Sequence, residues 1–502
     1  MTKSSSEGQA GAPEVIVAID QGTTGTTVLV LDAGERVCGR AYREIPQHYP
    51  SPGWVEHEPE DLWRSVVEGV QAALAEVPGA RVRAVGITNQ RETTIVWDRT
   101  TGKAVARAIV WQDRRTQDVC AQLKAAGHEA MVREKSGLVL DPYFSATKIA
   151  WLLDHHDGVR ARAEAGALCF GTVDSFLAYR LSAGASHITD VTNACRTSLF
   201  DLGTLAFSPE LCALFRVPMA LLPKVVPSAG VLAQVAAGVI PGLPAGTPIA
   251  GIAGDQQAAL YGQGCLAAGD AKCTYGTGAF LLMNVGPLPV HSRNGLLTSV
   301  AWQRDGGTNF ALEGSAFIAG ALVQWLRDGL GIIAKASEVE GLAASVPDSG
   351  GVTIVPALAG LGAPHWRPEA RGLIAGITRG TTKAHLARAA LEAIAFQNVE
   401  LVRAMEADAG RPLTALRVDG GAAANDLLLQ IEADLLGVEV IRPAFVESTA
   451  LGAGRLAGQA VGFYPANATD LDMGTVTRFY PTLSAEERAQ RLGHWHQTVA
   501  KA

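Results

Sequence analysis

Ala18-Ile19-Asp20-Gln21-Gly22-Thr23-Thr24-Gly25-Thr26-Thr27 is the stretch on which the fold turns. The residues leading into it, Val15 to Ile19, are all apolar and read as a buried strand. Asp20 therefore arrives at the strand's end as a lone carboxylate, followed by a turn of small hydroxyl residues. Gly22 and Gly25 let the backbone bend, so that its N–H groups and the hydroxyls of Thr23 and Thr24 can face phosphate oxygens. Taken alone, an Asp-X-Gly-Thr turn after a strand also fits an ordinary hairpin. The other half of the chain tips the balance. Cys273-Thr274-Tyr275-Gly276-Thr277-Gly278-Ala279-Phe280 repeats the same strand, Gly-Thr and small-residue logic. Ala415 to Asn425 runs an apolar strand into Gly420 and Gly421, ahead of a helix expected to start near Ala424. Phosphate-type turns in both halves point to an internal duplication, and the glycines of the third turn let a flat ring approach the backbone closely.

Length and composition bound the answer. A chain of 502 residues exceeds one core and fits two domains of about 250 residues each. We place a disordered tail at 1–12, an N-terminal domain at 13–262 and a C-terminal domain at 263–502, with a glycine-interrupted hinge from Tyr261 to Gly269. Hydrophobic residues make up 48% and charged residues 18%, an ordinary globular balance. A net charge of -7 argues against a nucleic-acid partner and reads as solubility. The uncharged stretch from Val225 to Gly254 is broken by Pro227, Pro241, Pro244 and Pro248, so it predicts loops and short strands and no membrane span. The 7 cysteines stand singly without a Cys-X-X-Cys pair, which fits a reducing cytoplasm. Met1 to Ala12 has no apolar core and so does not read as a signal peptide.

Strand-like runs at Val15 to Ile19, Thr27 to Leu31, Arg83 to Ile87 and Thr94 to Trp97 alternate with helical patterns, the signature of an α/β layered fold. Glu58 to about Val77 predicts a core-facing helix, with Pro59 in its first turn and Leu62, Val66, Val70 and Leu74 on one face. Two more helices are expected, from Thr382 to about Ala409, ended by Gly410, and from Asn425 to Leu436, ended by Gly437.

The ordered set of turns resembles the superfamily of sugar kinases, heat-shock ATPases and actin, in which two related domains close on ATP. Tyr143-Phe144-Ser145-Ala146-Thr147-Lys148-Ile149-Ala150-Trp151-Leu152-Leu153-Asp154-His155 is similar to one signature of the FGGY carbohydrate kinases. Gly372-Leu373-Ile374-Ala375-Gly376-Ile377, followed by His385 and Leu391-Glu392, is similar to the other. The stretches Gly86 to Thr94, Val110 to Thr116 and Gly251 to Leu260 resemble the glycerol-phosphorylating branch of that family across nearly the whole chain. The resemblance implies an α/β fold of two actin-like (ribonuclease H-like) domains flanking an ATP-binding cleft. The implied activity is ATP-dependent phosphorylation of glycerol to sn-glycerol 3-phosphate, with Mg2+, in a cytoplasmic homo-oligomer (dimer or tetramer). Close alternatives are kinases of another small polyol, such as erythritol, or of a ketose. A rival from another class hydrolyses ATP without an acceptor, as the heat-shock branch does.

The residues suit that chemistry. Arg91 offers fixed donors and Glu92 acceptors, so the adjacent pair can satisfy hydroxyls that act both ways; on most surfaces such a pair is merely solvated charge. By resemblance, Arg91, Glu92, Tyr143 and Asp255 hold the hydroxyls, Gln256 assists, and Trp111 and Phe280, otherwise core fillers, pack the carbon chain. Phosphoryl transfer needs positioning, charge stabilisation and one base for the hydroxyl proton. Asp255 is the candidate base, and also a candidate N-cap for a helix from Gln256 to Leu260. Asp20, with Asp255, would support magnesium, which is bound through few carboxylates and keeps several waters. The resemblance also assigns Thr23, Thr24 and Thr277 to phosphates, and Gly320, Gln324, Gly421 and Asn425 to the nucleoside side.

Departures matter as well. Many glycerol-phosphorylating members carry an Arg where this chain has Thr27, so one cationic phosphate contact is missing. The loop Pro241-Gly242-Leu243-Pro244-Ala245-Gly246-Thr247-Pro248 has no Arg, whereas members inhibited by fructose 1,6-bisphosphate use one there. Bisphosphate recognition wants guanidinium groups or helix N-termini, and no Lys or Arg occurs from Val225 to Gly254. Millimolar fructose 1,6-bisphosphate should leave the initial rate of ADP formation unchanged at saturating glycerol and MgATP. A saturable loss of rate at micromolar bisphosphate would contradict that reading.

Overall fold

The computed structural model describes residues 12–367, 369–443, 447–466 and 476–502. All but the last residue of the expected N-terminal tail lies outside them. Strand β1 (Glu14–Gln21) opens an antiparallel meander with β2 (Gly25–Leu31) and β3 (Val37–Glu44). Helix α1 (Pro59–Ala75) follows, with Pro59 at its first positions and Leu62, Val66 and Val70 buried. It returns the chain to β4 (Arg81–Asn89), which lies parallel to β1. The uncharged stretch supplies β5 (Ala229–Gln234) and β6 (Pro248–Gly254), and β6 runs parallel to β4. The sheet order is β5-β6-β4-β1-β2-β3. Helix α2 (Asp255–Gly262) leaves directly from β6.

The second half repeats the plan. Strands β7 (Ala271–Tyr275) and β8 (Ala279–Gly286) form a hairpin, and β9 (Leu297–Arg304) and β10 (Gly307–Ala316) extend it antiparallel. Helix α3 (Gly320–Asp328) and the long helix α4 (Lys383–Ala409) precede β11 (Ala415–Gly420), which is parallel to β7. Then come α5 (Asp426–Leu436), β12 (Glu439–Pro443), α6 (Ser448–Ala460) and β13 (Val476–Phe479). The order is β9-β10-β8-β7-β11-β12-β13. In both sheets an antiparallel set, three-stranded in the first and four-stranded in the second, abuts two parallel strands, and an antiparallel strand closes the far edge. This doubled α/β plan is the expected actin-like, ribonuclease H-like architecture.

Local chemistry accounts for the helix ends. Thr382 and His385 form a capping box at the start of α4, which stops at Gly410 with φ 64. Asn425 caps α5 by accepting from the Leu428 N–H at 2.8 Å, and Gly437, with φ 78, ends it. The run from Thr94 to Trp97 falls mostly in a short strand, Ile95–Asp98, paired with Leu168–Gly171 outside the main sheet.

The halves are joined closely at their base. Helix α6 comes late in the chain yet lies on the first sheet, where Ala450, Leu451 and Ala457 share a core with Ile16, Ala18 and Leu29. It crosses α2 where only glycine fits. A Cβ on Gly452 would lie 1.9 Å from the Ala258 carbonyl oxygen, and one on Gly262 would lie 2.0 Å from that of Ser448. Arg455, buried on α6, donates to the Gly262 carbonyl and pairs with Glu35 at 2.7 Å. Gly452→Ala should gain about 1 kcal/mol of helix propensity but lose more by forcing two backbones apart, for a net destabilisation of about 1–3 kcal/mol. A denaturant midpoint equal to or above that of the parent would contradict this packing.

Candidate active site

Parallel neighbours end on one edge of a sheet, and open α/β sheets bind ligands outside the carboxyl ends of their strands. The register places Gln21 and Gly254 on either side of Asn89. Asp20 at the end of β1, Arg91 and Glu92 just beyond β4, and Asp255 just beyond β6 are therefore delivered to the same edge. Asp255 is the first residue of α2, and Gly254 occupies the cap position expected of it. The Asp255 Oδ1 accepts from the Gln256 N–H at 2.7 Å and lies 3.2 Å from Arg91 Nε.

Glu92 has φ 62, a left-handed conformation that costs a non-glycine residue free energy. Its carbonyl accepts from the Ser145 hydroxyl at 2.9 Å and the Thr94 hydroxyl at 3.0 Å, which hold the turn. Successive residues of a strand point to opposite faces, and the turn lets Arg91 and Glu92 join one buried cluster instead. Arg91 Nη1 and Nη2 donate to the two carboxylate oxygens of Glu313 at 2.8 and 2.7 Å. Nη1 also reaches Gln257 Oε1 at 3.2 Å, and Nη2 the Tyr143 hydroxyl at 3.5 Å. Arg196 Nε donates to Glu92 at 2.6 Å, and its Nη1 lies 3.2 Å from Glu313. Arg91, Glu92, Arg196 and Glu313 are all buried. Glu313 stands on β10 of the second sheet, 222 positions from Arg91.

Burial alone would raise the Glu313 carboxyl, but Arg196 and Arg91 outweigh it and hold it down at about 2. For Glu92 burial wins over Arg196 and Arg91, and its carboxyl is raised. Asp20 is pushed well above the usual carboxylate range by burial, then by Asp255 and Glu447. Thr27 faces Asp20 across the β1–β2 ladder, so an arginine there would stand beside that carboxylate.

Aromatic rings gather from both halves. Trp111 meets Tyr143 edge-on at 5.6 Å and Phe280, from β8, at 6.5 Å. The Trp111 indole N–H donates to the Thr23 hydroxyl at 2.9 Å, which ties this ring to the first phosphate-type turn. Gln256 is held by Lys272 of β7, a buried lysine whose ammonium also donates to Thr274 at 2.8 Å. Burial lowers the Lys272 pKa despite Asp419 nearby.

Across the cleft, the Gly276–Gly278 turn is tied to the start of α3. The Thr277 carbonyl accepts from Ala319 and Ala321 N–H at 2.9 and 3.0 Å, and Gly276 from Gly320 N–H at 3.1 Å. A Cβ on Gly320 would lie 2.6 Å from the Gly276 carbonyl, so the contact requires glycine. Thr24, Thr277, Gln324 and Gly421 are exposed, and Gly421 has open space where a side chain would stand. Asn425 uses its Oδ1 to cap α5. Sequence reasoning missed Arg196 and Glu313. Their signal was a lone charge in an apolar setting, as in Phe310-Ala311-Leu312-Glu313-Gly314, where a buried ion demands a partner.

Comparison with known proteins places these residues in context. The model of the FGGY family of carbohydrate kinases, N-terminal domain, matches residues 15–262, and that of the C-terminal domain residues 271–461. The glycerol kinase of Alkalilimnicola ehrlichii is 54% identical over 97% of this chain and 98% of its own. That of Aromatoleum aromaticum is 55% identical over 97% and 98%. The crystal structure of Plasmodium falciparum glycerol kinase with ADP superimposes with a TM-score of 0.93 at 34% identity, covering 98% of this chain and 99% of that one.

The buried cluster makes a prediction about pH. A carboxyl held below its ordinary 4.5, at about 2, contributes stability that is complete above pH 4.5 and is lost as pH falls through the lower value. The stability advantage of the parent over Glu313→Gln should therefore shrink by about 3 kcal/mol on acidification from pH 5 to about pH 2. Denaturant unfolding at stepped pH reads it, and a gap that does not change with pH contradicts it.

Proposed function

The chain belongs to the FGGY family of carbohydrate kinases and phosphorylates glycerol with ATP, and we propose that Asp255 is its general base and sn-glycerol 3-phosphate its product. The observation that carries this reading is the Nε/Nη2 edge of Arg91, which faces Asp255 on one side and the Tyr143 hydroxyl on the other. A hydroxyl placed there shares the Arg91 Nε and Nη2 N–H groups that face Asp255 and Tyr143, with Asp255 as its proton acceptor and Tyr143 as a further partner. Trp111 and Phe280 offer apolar surface to the carbon chain from opposite halves of the molecule. Glu92, partly neutralised by Arg196, is the remaining acceptor. Gln256 assists through the amide that Lys272 orients.

ATP is assigned to both walls, its phosphates to Thr23 and Thr24 of the first half and Thr277 of the second, and its nucleoside to Gly320, Gln324, Gly421 and Asn425 of the second. Support comes from the exposed Gly276–Gly278 turn seated on the α3 N-terminus and from the open space above Gly421. The donor set also fits Mg2+. Asp20 is raised first by burial and then by the neighbouring Asp255 and Glu447, and a divalent cation relieves the repulsion. Among the described residues no group of three or more His, Cys, Asp or Glu side chains is set to hold a metal ion. Asp20 and Asp255 would hold it together with phosphate oxygens and water, as this cation prefers. Bound there it neutralises charge on the transferring phosphoryl. The chain's own residues hold the hydroxyl in line, accept its proton on Asp255 and shield the reaction from water.

We place the enzyme in the cytoplasm, a reading supported by 7 free cysteines of which six are buried. No helix among the described residues is long and apolar enough to cross a membrane. Assembly as a homo-oligomer, dimer or tetramer, rests on the family resemblance.

Asp255→Asn should keep the fold and the affinity for MgATP while losing about 10²-fold to 10⁴-fold in kcat for glycerol-dependent ADP formation, the usual worth of a general base. Near-normal turnover would remove Asp255 from that role. ADP formation by the parent that ignores glycerol but follows another polyol or a ketose would move the substrate assignment to that compound.

A further inference from the structure

We propose that Glu313 is a positioning residue of the acceptor site: from the opposite half of the molecule it holds the Arg91 fork end-on and so keeps that guanidinium from closing on the base. The inference deepens the reading of Asp255 as general base and rests on it.

The argument begins with the donors of Arg91. A guanidinium has a fixed set of N–H groups in a planar fork, and here all have an acceptor: Glu313 takes one from each Nη, Gln257 and Tyr143 take the others, and Nε faces Asp255. Buried guanidinium groups favour a carboxylate held bidentately. Besides Glu313, two carboxylates are in reach. Glu92 lies 3.9 Å from Arg91 Nε and is committed to Arg196. Asp255 lies 3.2 Å from Nε and its side chain is 31% exposed, so it is the one able to move. Its contacts with Arg91 Nε and Gln256 N–H both fall on Oδ1, which leaves Oδ2 to receive a proton. With Glu313 neutralised, the freed fork finds its bidentate partner in Asp255. Both oxygens of the base are then engaged by guanidinium N–H groups, and neither is left to face the hydroxyl.

Charge balance alone predicts something different. The cluster contains two guanidinium groups and two carboxylates, so Glu313 could serve only to neutralise Arg196 and Arg91. In that case its removal harms folding, and the harm to turnover does not depend on whether Arg91 is present. If Glu313 acts by restraining Arg91, deleting Arg91 abolishes the effect.

The test is steady-state kinetics on the full chain and three variants, Glu313→Gln, Arg91→Ala and the double variant, with glycerol and MgATP each brought to saturation. Arg91→Ala should chiefly raise KM for glycerol. Glu313→Gln should lower kcat by about 10-fold to 100-fold with little change in KM for MgATP. The double variant should keep the high glycerol KM of Arg91→Ala and show a kcat within about threefold of it, above that of Glu313→Gln. A kcat for the double variant equal to the product of the single losses overturns the proposal, as does an unchanged kcat for Glu313→Gln. Should Glu313→Gln fail to fold, the double variant, which leaves Arg196 and Glu92 paired, carries the test: a further loss of about tenfold or more relative to Arg91→Ala overturns it. If the parent prefers another acceptor, the substrate reading fails and the same comparison is made with that acceptor; a parent with no acceptor overturns both.

Discussion

A buried guanidinium with every donor committed is an unforgiving constraint, and Arg91 is that group here. Its Nη atoms pair with Glu313 of the second sheet, while Nε faces Asp255 of the first. Taking such charges out of water costs several kcal/mol per ion, and removing one partner typically costs about 3–5 kcal/mol, because the other is left buried and uncompensated. The Arg91 side chain consequently has one place to be, and that place exists only when both halves of the molecule are present. The proposed acceptor pocket is in this sense a property of the interface. Phosphoryl transfer is largely a matter of positioning and charge stabilisation, and on the proposed reading of the site a fixed Arg91 beside Asp255 supplies that positioning.

The rest of the architecture serves that seam. Parallel strands end on one edge and present Asp20, Arg91 and Asp255 together, while the second sheet presents the Gly276–Gly278 turn, Phe280 and Glu313. Below them, α2 and α6 cross at Gly262 and Gly452 so closely that backbone touches backbone. Arg455 links α6 to Glu35 and to the end of α2, and Arg304 of β9 reaches Tyr261 at 2.6 Å and Gln459 at 2.7 Å. The two halves are thus bound at the base, and the substrate walls lie above that base.

Much of this was legible in the residues. Apolar runs ending in Asp20, and in the glycines after Tyr275 and Asp419, gave the duplicated strand-turn plan, because strand burial and glycine turns are local properties. Helix limits followed from Pro59, Thr382, Gly410, Asn425 and Gly437 for the same reason. Arg196 and Glu313 were not legible as partners. Each is a single charge without a motif, 104 and 222 positions from the residue it pairs with, and pairing at that separation is decided by how the sheets face each other. The placement of α6 on the first sheet was hidden likewise: its small residues carry no mark of their partners, and only the crossing with α2 at Gly452 and the sheet beneath Gly454 explain why those glycines are there. Gln256 shows a subtler limit, since nothing in Asp255-Gln256-Gln257 tells which amide meets Lys272 and which meets Arg91.

The central claim is that this interface directs the terminal phosphoryl of ATP onto one hydroxyl of glycerol. The most direct measurement is phosphorus NMR of a reaction containing glycerol labelled with carbon-13 at one prochiral end, followed to completion with the purified chain and MgATP. The account predicts a single phosphomonoester on the terminal carbon corresponding to the sn-3 position, formed in equal amount with ADP. Inorganic phosphate appearing in equal amount with ADP, with glycerol unmodified, or a mixture of both terminal esters, would contradict it.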